Sequence, residues 1–217
     1  MTARLALILA PMLLLAACGP KPRPVEPAPA RPAAAAQSGP TAKVDRFTPY
    51  ENGPLALDEY AVGPIMGQTA FTLEAIKARF PKAQVKSLFL HEADGVMTPI
   101  ITVDQDGMGL LEIAGESGAG TVGTIRVAGG PATGPRGETL LMKWAAADLD
   151  LARCRIGEGR ERHAVVCSRL GEPVLRYVFG VPGWTQDVMP PVETLRQKAI
   201  LSEFVWKGGA PFAAPAA

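Results

Sequence analysis

Three cysteines are the residues of this 217-residue chain whose positions most directly suggest chemistry. Cys18 ends the sequence Leu-Ala-Ala-Cys at 15–18, which closes an eleven-residue apolar stretch that starts after Arg4. That length is typical of a signal peptide, because a membrane-spanning helix needs about 20 apolar residues. Small residues before Cys18 admit a signal peptidase, and the thiol can accept diacylglycerol. We therefore predict a lipoprotein signal peptide over 1–17 and lipidation of Cys18.

The predicted lipid would hold the protein on a membrane, since each buried methylene contributes about 0.8 kcal/mol and two or three acyl chains together form a stable anchor. Gly19, not Asp, follows the cysteine. In Gram-negative bacteria Asp at that position resembles an inner-membrane retention signal, so Gly19 predicts the periplasmic face of the outer membrane. An ordinary signal peptide with a coincidental cysteine is the alternative.

Cys154 and Cys167 form an even pair in a chain predicted to be exported to an oxidising compartment, which indicates a disulfide. If 152–156 and 163–168 are antiparallel strands, pairing the cysteines sets Ile156 opposite Val165 on the same face. A catalytic thiol pair is disfavoured, because thirteen residues separate the two and CxxC geometry is absent.

Four arginines surround this predicted hairpin, at Arg153, Arg155, Arg160 and Arg162. Guanidinium groups bind phosphates and carboxylates, so one hypothesis is an anion patch for lipopolysaccharide phosphates or acidic cell-wall groups. The alternative is a solvated hairpin tip, because Glu158 and neighbouring acidic residues interrupt the patch.

Other motifs point away from catalysis. The segment 118–123 fits GxGxxG, but a strand-like run follows it where a dinucleotide fold needs a helix, so we predict a hairpin loop. The segment 104–107 lacks the flanking ligands of a calcium loop. His91 and His163 have no zinc-like spacing. We therefore predict no catalytic residue, no metal site and no cofactor.

Composition divides the chain into an anchor, a tether and one domain. Seven prolines fall between residues 19 and 42, so 18–43 is predicted to be an extended tether. The segment 44–208 has the length of a single domain and carries 17 basic against 20 acidic side chains. This slight acidity argues against nucleic-acid binding. A Pro/Ala-rich tail at 209–217 is predicted to be disordered.

Hydrophobic periodicity predicts an α+β fold, a mainly antiparallel twisted sheet with about three helices packed on one face. Helices are predicted at 71–80, 139–147 and 192–199, the first capped by Thr69 or Thr72. Predicted strands lie at 85–90, 97–103, 110–114, 123–127, 152–156, 163–168, 174–179 and 202–206. Gly-Gln-Thr at 67–69 and Gly-Glu-Thr at 137–139 each precede a predicted helix, which raises the possibility of an internal duplication.

Several features of the C-terminal part occur in a recognisable order: Cys154, Val166-Cys167, Tyr177-Val178-Phe179-Gly180, Trp184, Met189-Pro190 through Leu195, and Val205-Trp206-Lys207. The order of features over 150–207 is similar to the C-terminal half of the RpoE-regulated (YfeY-type) lipoproteins, an envelope family of unknown function. Over 60–140 only the pattern matches, including Gly63 and Ile65. The resemblance implies a periplasm-facing lipoprotein linked to envelope homeostasis, and it carries no catalytic residues over.

Together these features predict a lipid-anchored, non-enzymatic protein of the bacterial envelope that has a binding or structural role in homeostasis or stress. Its expected partners are the membrane, through the N-terminal lipid, and an envelope protein, lipopolysaccharide or the cell wall. The alternative is an envelope hydrolase or a carrier of a small apolar ligand, which a deep apolar pocket with convergent polar groups would favour.

Overall fold

An eight-stranded antiparallel sheet organises the residues that the computed structural model describes, 47–91 and 95–208. The predicted signal peptide, Cys18 and the tether lie outside these residues, as does the tail at 209–217. The described residues belong to one domain. In chain order the elements are β1 (Leu55–Ala56), β2 (Ala61–Val62), β3 (Ile65–Met66), α1 (Leu73–Arg79), β4 (Gln84–His91), β5 (Met97–Gln105), β6 (Met108–Gly115), β7 (Val122–Val127), β8 (Ala132–Thr133), β9 (Cys154–Ile156), β10 (Val165–Arg169), β11 (Glu172–Gly180), α2 (Val192–Lys198) and β12 (Ile200–Lys207).

Two meanders build the sheet, in the order β4-β5-β6-β7-β12-β11-β10-β9. They join where β7 pairs with β12, so β4 and β9 are the two edges. Register shifts occur in four of the described strand pairs, and such bulges increase the twist of a sheet. Each predicted strand corresponds to an observed one, and the antiparallel α+β prediction is confirmed.

Side chains alternate across the sheet, so one face forms the core and the other we call the outer face. In β7, Ile125 is buried in the core opposite Trp206 of β12, whereas Arg126 lies on the outer face opposite Val205. The ring of Tyr177 packs edge-on against the ring of Phe204 within the core. Burial of each large apolar side chain contributes about 1.5–3 kcal/mol. The largest fully buried side chains include Trp206, Tyr177, Phe80, Phe179 and Phe204.

Helix α1 confirms the first helix prediction in a shorter form. The Thr72 hydroxyl accepts a hydrogen bond from the backbone N–H of Ala75 at 3.2 Å and so caps the helix. Thr69, the other candidate cap, is buried and accepts from the N–H of Met66 instead. The helix ends at Phe80, immediately before Pro81, because proline disfavours helical backbone in the residue that precedes it.

The prediction of a second helix over 139–147 is wrong. Only a single 3-10 turn forms there, at Trp144–Ala146. The preceding backbone pairs with the start of β12: the N–H of Leu141 donates to Leu201 O at 2.8 Å, and the N–H of Leu201 donates to Met142 O at 2.8 Å. These long-range hydrogen bonds compete with helical ones, and Leu141 has a φ of +68° that no α-helix accommodates.

The third helix prediction is confirmed by α2, so the described residues contain two α-helices where about three were predicted. No α-helix begins directly after the Gly-Glu-Thr motif at 137–139, and the internal duplication stays a prediction. Within residues 47–91 and 95–208, no helix has the length and apolar character needed to cross a membrane.

Candidate functional site

The predicted disulfide hairpin is present, and its strand β9 forms one edge of the sheet. The sulfur atoms of Cys154 and Cys167 lie 2.03 Å apart, and the two residues are directly opposite each other in the β9–β10 pair. Ile156 pairs with Val165, which is the register expected from side-chain alternation. The disulfide prediction is confirmed.

The four predicted anion-patch arginines do not form one free cationic surface. Arg160 makes a bidentate contact with Glu112, in which Nη2 donates to Oε2 at 2.8 Å. Arg162 makes another with Asp187, at 2.9 and 2.6 Å. These carboxylates raise the pKa of Arg160 and Arg162 above the ordinary arginine value, so the guanidinium charges are compensated.

Arg153 and Arg155 are both exposed near the edge formed by β9. Arg155 lies opposite Val166 on the outer face, and its Nη1 donates to Ile156 O at 3.4 Å. Since the other two arginines are paired with carboxylates, an anion patch would have to rest on Arg153 and Arg155.

The loop at 157–164, which joins β9 to β10, folds over the outer face and is held there by charge. Arg126 donates to Glu161 at 2.8 Å and to Glu203 at 3.0 Å. With the Arg160 pair, these contacts form what we call the outer-face network. Burial raises the pKa of Glu203, and the neighbouring Arg126 partly opposes that rise. The network consists of Glu112, Arg126, Arg160, Glu161 and Glu203.

Apolar packing supports the same loop. Ala164, at its end, packs on a small buried cluster of valines on the outer face, Val166, Val178 and Val205. At the other end of the loop, a side chain at Gly157 would collide with the carbonyl oxygen of Glu161. The turn therefore requires glycine at this position.

A buried ion pair joins β10 to the 134–148 segment. Arg169 donates from Nη2 to Glu138 Oε1 at 2.6 Å and from Nη1 to Asp148 O at 2.9 Å. The second oxygen of Glu138 accepts from the N–H of Arg136 at 3.0 Å. A cavity of about 200 Å³ adjoins the pair. Because both carboxylate oxygens of Glu138 already accept hydrogen bonds, we interpret the pair as a structural link.

A groove of about 410 Å³ lies between the segment before β2 and the tight turn that joins β10 to β11. Its walls include two strongly exposed side chains, Tyr60 at 65% and Leu170 at 74% exposure. The groove is lined by Asp58, Glu59, Tyr60, Pro135, Leu170 and Gly171.

Local sequence explains how the groove is built. Asp58 Oδ1 accepts hydrogen bonds from the N–H groups of Tyr60 and Ala61, both at 2.7 Å, which fixes the turn that presents the tyrosine ring. A hydrogen bond with Glu59 raises the pKa of Tyr60, because the bond favours the protonated phenol. Gly171, with a φ of +84°, permits the turn that presents Leu170.

Sequence reasoning missed this groove because its two walls are 110 positions apart. An exposed tyrosine and an exposed leucine are each unremarkable alone, since single apolar side chains are common on protein surfaces. The only local signal was an acidic pair followed by an aromatic residue at 58–60.

The histidines are also placed by the structure. His163 lies beside Asp187, with Nδ1 and Oδ1 3.3 Å apart, and His91 ends β4. Among residues 47–91 and 95–208, no cluster of three or more His, Cys, Asp or Glu side chains could hold a metal ion. Residues 118–121 of the glycine-rich segment lie in the connection between β6 and β7, and Val122 and Gly123 begin β7, which confirms the hairpin-loop prediction.

Comparison with solved structures gives the fold a counterpart. The crystal structure of the uncharacterized protein YfeY from Escherichia coli matches with a TM-score of 0.58, covering 71% of this chain and 99% of that chain. This chain has the fold of YfeY. The resemblance predicted from 150–207 is therefore confirmed at the level of the fold. The two sequences are 20% identical, and YfeY is itself described as uncharacterized, so the likeness carries no activity over. Neither a protein-family model nor a curated protein matches this chain.

Proposed function

We propose that this protein is a lipid-anchored binding protein of the bacterial envelope, held through Cys18 on the periplasmic face of the outer membrane. The lipobox at 15–18 and the proline-rich tether at 18–43 support the anchored part of the proposal. The fold shared with YfeY is compatible with it. In this view the tether presents the domain to its partner at a distance from the lipid.

The groove between Tyr60 and Leu170 is the observation on which the binding role rests. Two large side chains stay exposed in one concave region, although burying either would be favourable by about 1.5–3 kcal/mol. Exposed apolar side chains gathered in a groove are typical of interaction sites. The carboxyl of Glu59 lies at the same groove, so the chemistry fits an apolar protein segment with a basic neighbour.

Substitution of Cys18 tests the anchor. Cys18→Ala should abolish palmitate incorporation and release the full chain from the membrane fraction into the periplasmic extract. Cys154→Ala is the matched control, because it removes a cysteine of the folded domain and should leave membrane association intact. Continued acylation and sedimentation of the Cys18→Ala protein with membranes would contradict the lipoprotein assignment.

Photo-crosslinking in cells tests the groove. A photoreactive amino acid at Leu170 should give a discrete protein adduct, and the same label at Leu141 serves as control, because Leu141 is also 74% exposed but is not in the groove lining. Tyr60→Ala should remove the adduct formed from position 170. Equal labelling from both positions, or an adduct that survives Tyr60→Ala, would contradict the binding proposal.

A further inference from the structure

Strand β4 is a long and regular edge of the sheet. It pairs with β5 through eight consecutive residues, from Gln84 opposite Asp104 to His91 opposite Met97, without a register shift. Within the described part of the chain, no other strand pairs with it. A straight edge of this length presents a row of backbone N–H and C=O groups to which another strand can add.

The end of β4 also exposes apolar side chains on both of its faces. Leu88 is 46% exposed, and Phe89, whose side chain points to the opposite face, is 62% exposed. Met97, on the adjacent strand, is 50% exposed. These three residues leave roughly 350 Å² of residue surface exposed around this end of the edge, divided between the two faces of the sheet. Exposed apolar side chains gathered in one region are often functional.

The opposite edge of the sheet, β9, is protected from the addition of another strand, in contrast to β4. Strand β9 has only three residues and is covalently joined to β10 by the disulfide. Natural proteins limit strand addition with short edges, charges, prolines or bulges. In β4, Lys86 is the only lysine, and the strand contains no proline and no register shift.

We propose that β4 is a dimerisation edge, on which β4 of a second copy of this chain pairs antiparallel to form one continuous sixteen-stranded sheet. A two-fold pairing supplies a strand of matching length and matching apolar side chains from the same surface. It is also closed, so assembly stops at two copies instead of growing into a fibre.

Charge restricts the register of this pairing. Directly opposed residues of antiparallel strands point to the same face of the sheet. The two-fold axis must therefore pass between one residue of β4 and the same residue of the second copy. Centring the pair on Lys86 would oppose two like charges, which is destabilising. Centring it on Leu88 places Lys86 opposite Leu90 of the second copy and brings the two Leu88 side chains together. Of the centres that avoid opposed lysines, Ser87 and Leu88 keep seven residues of each β4 paired, and only Leu88 places an apolar side chain opposite its own copy, so we assign Leu88 to the centre.

The buried area fits a weak, concentration-dependent dimer. The exposed apolar residues of two copies present roughly 700 Å² in total, and pairing residues 85–91 of the two backbones adds to this, so the interface stays below the ~1,600 Å² of a standard one. Retention of two chains on one membrane would raise their effective concentration.

Single-cysteine crosslinking of the full chain in isolated membranes tests the edge. Under mild oxidation, Leu88→Cys should form a disulfide-linked dimer of twice the chain mass. Val188→Cys is the matched control, since it is similarly exposed at 58% but lies between β11 and α2. The wild-type chain reports any crosslink made through Cys18. Adding Phe89→Lys to Leu88→Cys should abolish the crosslinked dimer, while an oxidised Cys154–Cys167 bond shows that the domain is folded.

Sedimentation of the detergent-solubilised chain provides an independent measurement. Wild type should shift from monomer to dimer with rising concentration, and Phe89→Lys should lose that shift. A wild type that stays monomeric, an equal shift in Phe89→Lys, an equal crosslink from Val188→Cys, or a Leu88→Cys adduct to a different protein would each overturn the proposal. These outcomes do not depend on the groove, so failure here leaves the proposed partner-binding role to its own test.

Discussion

Arg160 and Glu112 meet across the outer face of the sheet, although 48 positions separate them along the chain. Both oxygens of the carboxylate accept from the guanidinium, so the contact fixes the orientation of the 157–164 loop as well as its position. A side chain predicted to bind anions thus holds a loop on its own sheet.

Glu112→Gln should loosen the loop that this pair holds. Because Arg160 remains partly exposed, solvent screening limits the loss of unfolding free energy to about 0.5–1 kcal/mol. Backbone amides in 157–164 should exchange hydrogen faster than in wild type. Glu51→Gln is the control, since it removes a fully solvated pair with Lys82 and should change neither measurement. Unchanged exchange in Glu112→Gln would show that the Arg126–Glu161 contact and the packing of Ala164 hold the loop without this pair.

Titration of Glu203 should make stability fall as pH rises. Burial raises its pKa above the ordinary 4.5, so the folded state keeps a proton that the unfolded chain has already lost. The contribution of Glu203 to wild-type stability therefore decreases from about pH 4.5 up through the raised pKa. Glu203→Gln cannot titrate, so its stability relative to wild type should rise across that window. Denaturant unfolding at a series of pH values measures the difference.

Asp187→Asn serves as a control, because the pH dependence of its stability relative to wild type should have the opposite sign. Arg162 lowers the pKa of Asp187 below 3.8, so its contribution is present above that value and is lost as pH falls. Asp187→Asn should be slightly less stable than wild type near neutral pH, because the pair is exposed to solvent, and this difference should disappear as pH falls through the lowered pKa. Parallel pH profiles for the Glu203 and Asp187 variants would contradict both assignments.

Removing the disulfide should lower stability by about 3 kcal/mol, the loop-closure value for a loop of roughly 14 residues. The double variant Cys154→Ser/Cys167→Ser should show this loss in guanidinium unfolding. Reduction of wild type should reproduce it, whereas a reductant should not change the double variant. Equal unfolding midpoints for reduced and oxidised wild type would show that strand pairing alone maintains the β9 edge.

Removing one partner of the Arg169–Glu138 pair should lower the free energy of unfolding substantially. Arg169→Met leaves the Glu138 carboxylate buried without its partner, and we expect a loss of about 3–5 kcal/mol. Combining it with Glu138→Gln removes the uncompensated charge and should recover part of that loss. Thermal and denaturant unfolding of the two variants measures this coupling. A double variant less stable than Arg169→Met would show that the carboxylate stabilises the fold without the arginine.

Local patterns were sufficient where neighbours in sequence decide the structure. Thr72 caps α1 and the chain turns at Pro81, so the helix follows from side-chain and backbone chemistry within one segment. The register of the disulfide hairpin followed from the two-residue alternation of a strand, which leaves a single way to place Cys154 and Cys167 side by side.

Local patterns failed where distant backbone supplied the hydrogen bonds. The helical periodicity at 139–147 was real, but Leu141 and Met142 bond to Leu201 instead of to their own segment. Tertiary hydrogen bonds override helix propensity, which is worth under about 1 kcal/mol per residue. No pattern near 139–147 signals that partner.

The amino-acid sequence by itself determined the alternation that builds the sheet and the pairing of Cys154 with Cys167, because each depends on residues close together in the chain, and for the same reason it predicts the anchor at Cys18. The tertiary structure decided which charges remain available and which surfaces stay open. It paired Arg160 with Glu112, joined Tyr60 to Leu170 in one groove and, among residues 47–91 and 95–208, left β4 paired on one side only. Such relationships depend on distances across the fold, and the spacing of residues in a linear sequence carries no record of those distances.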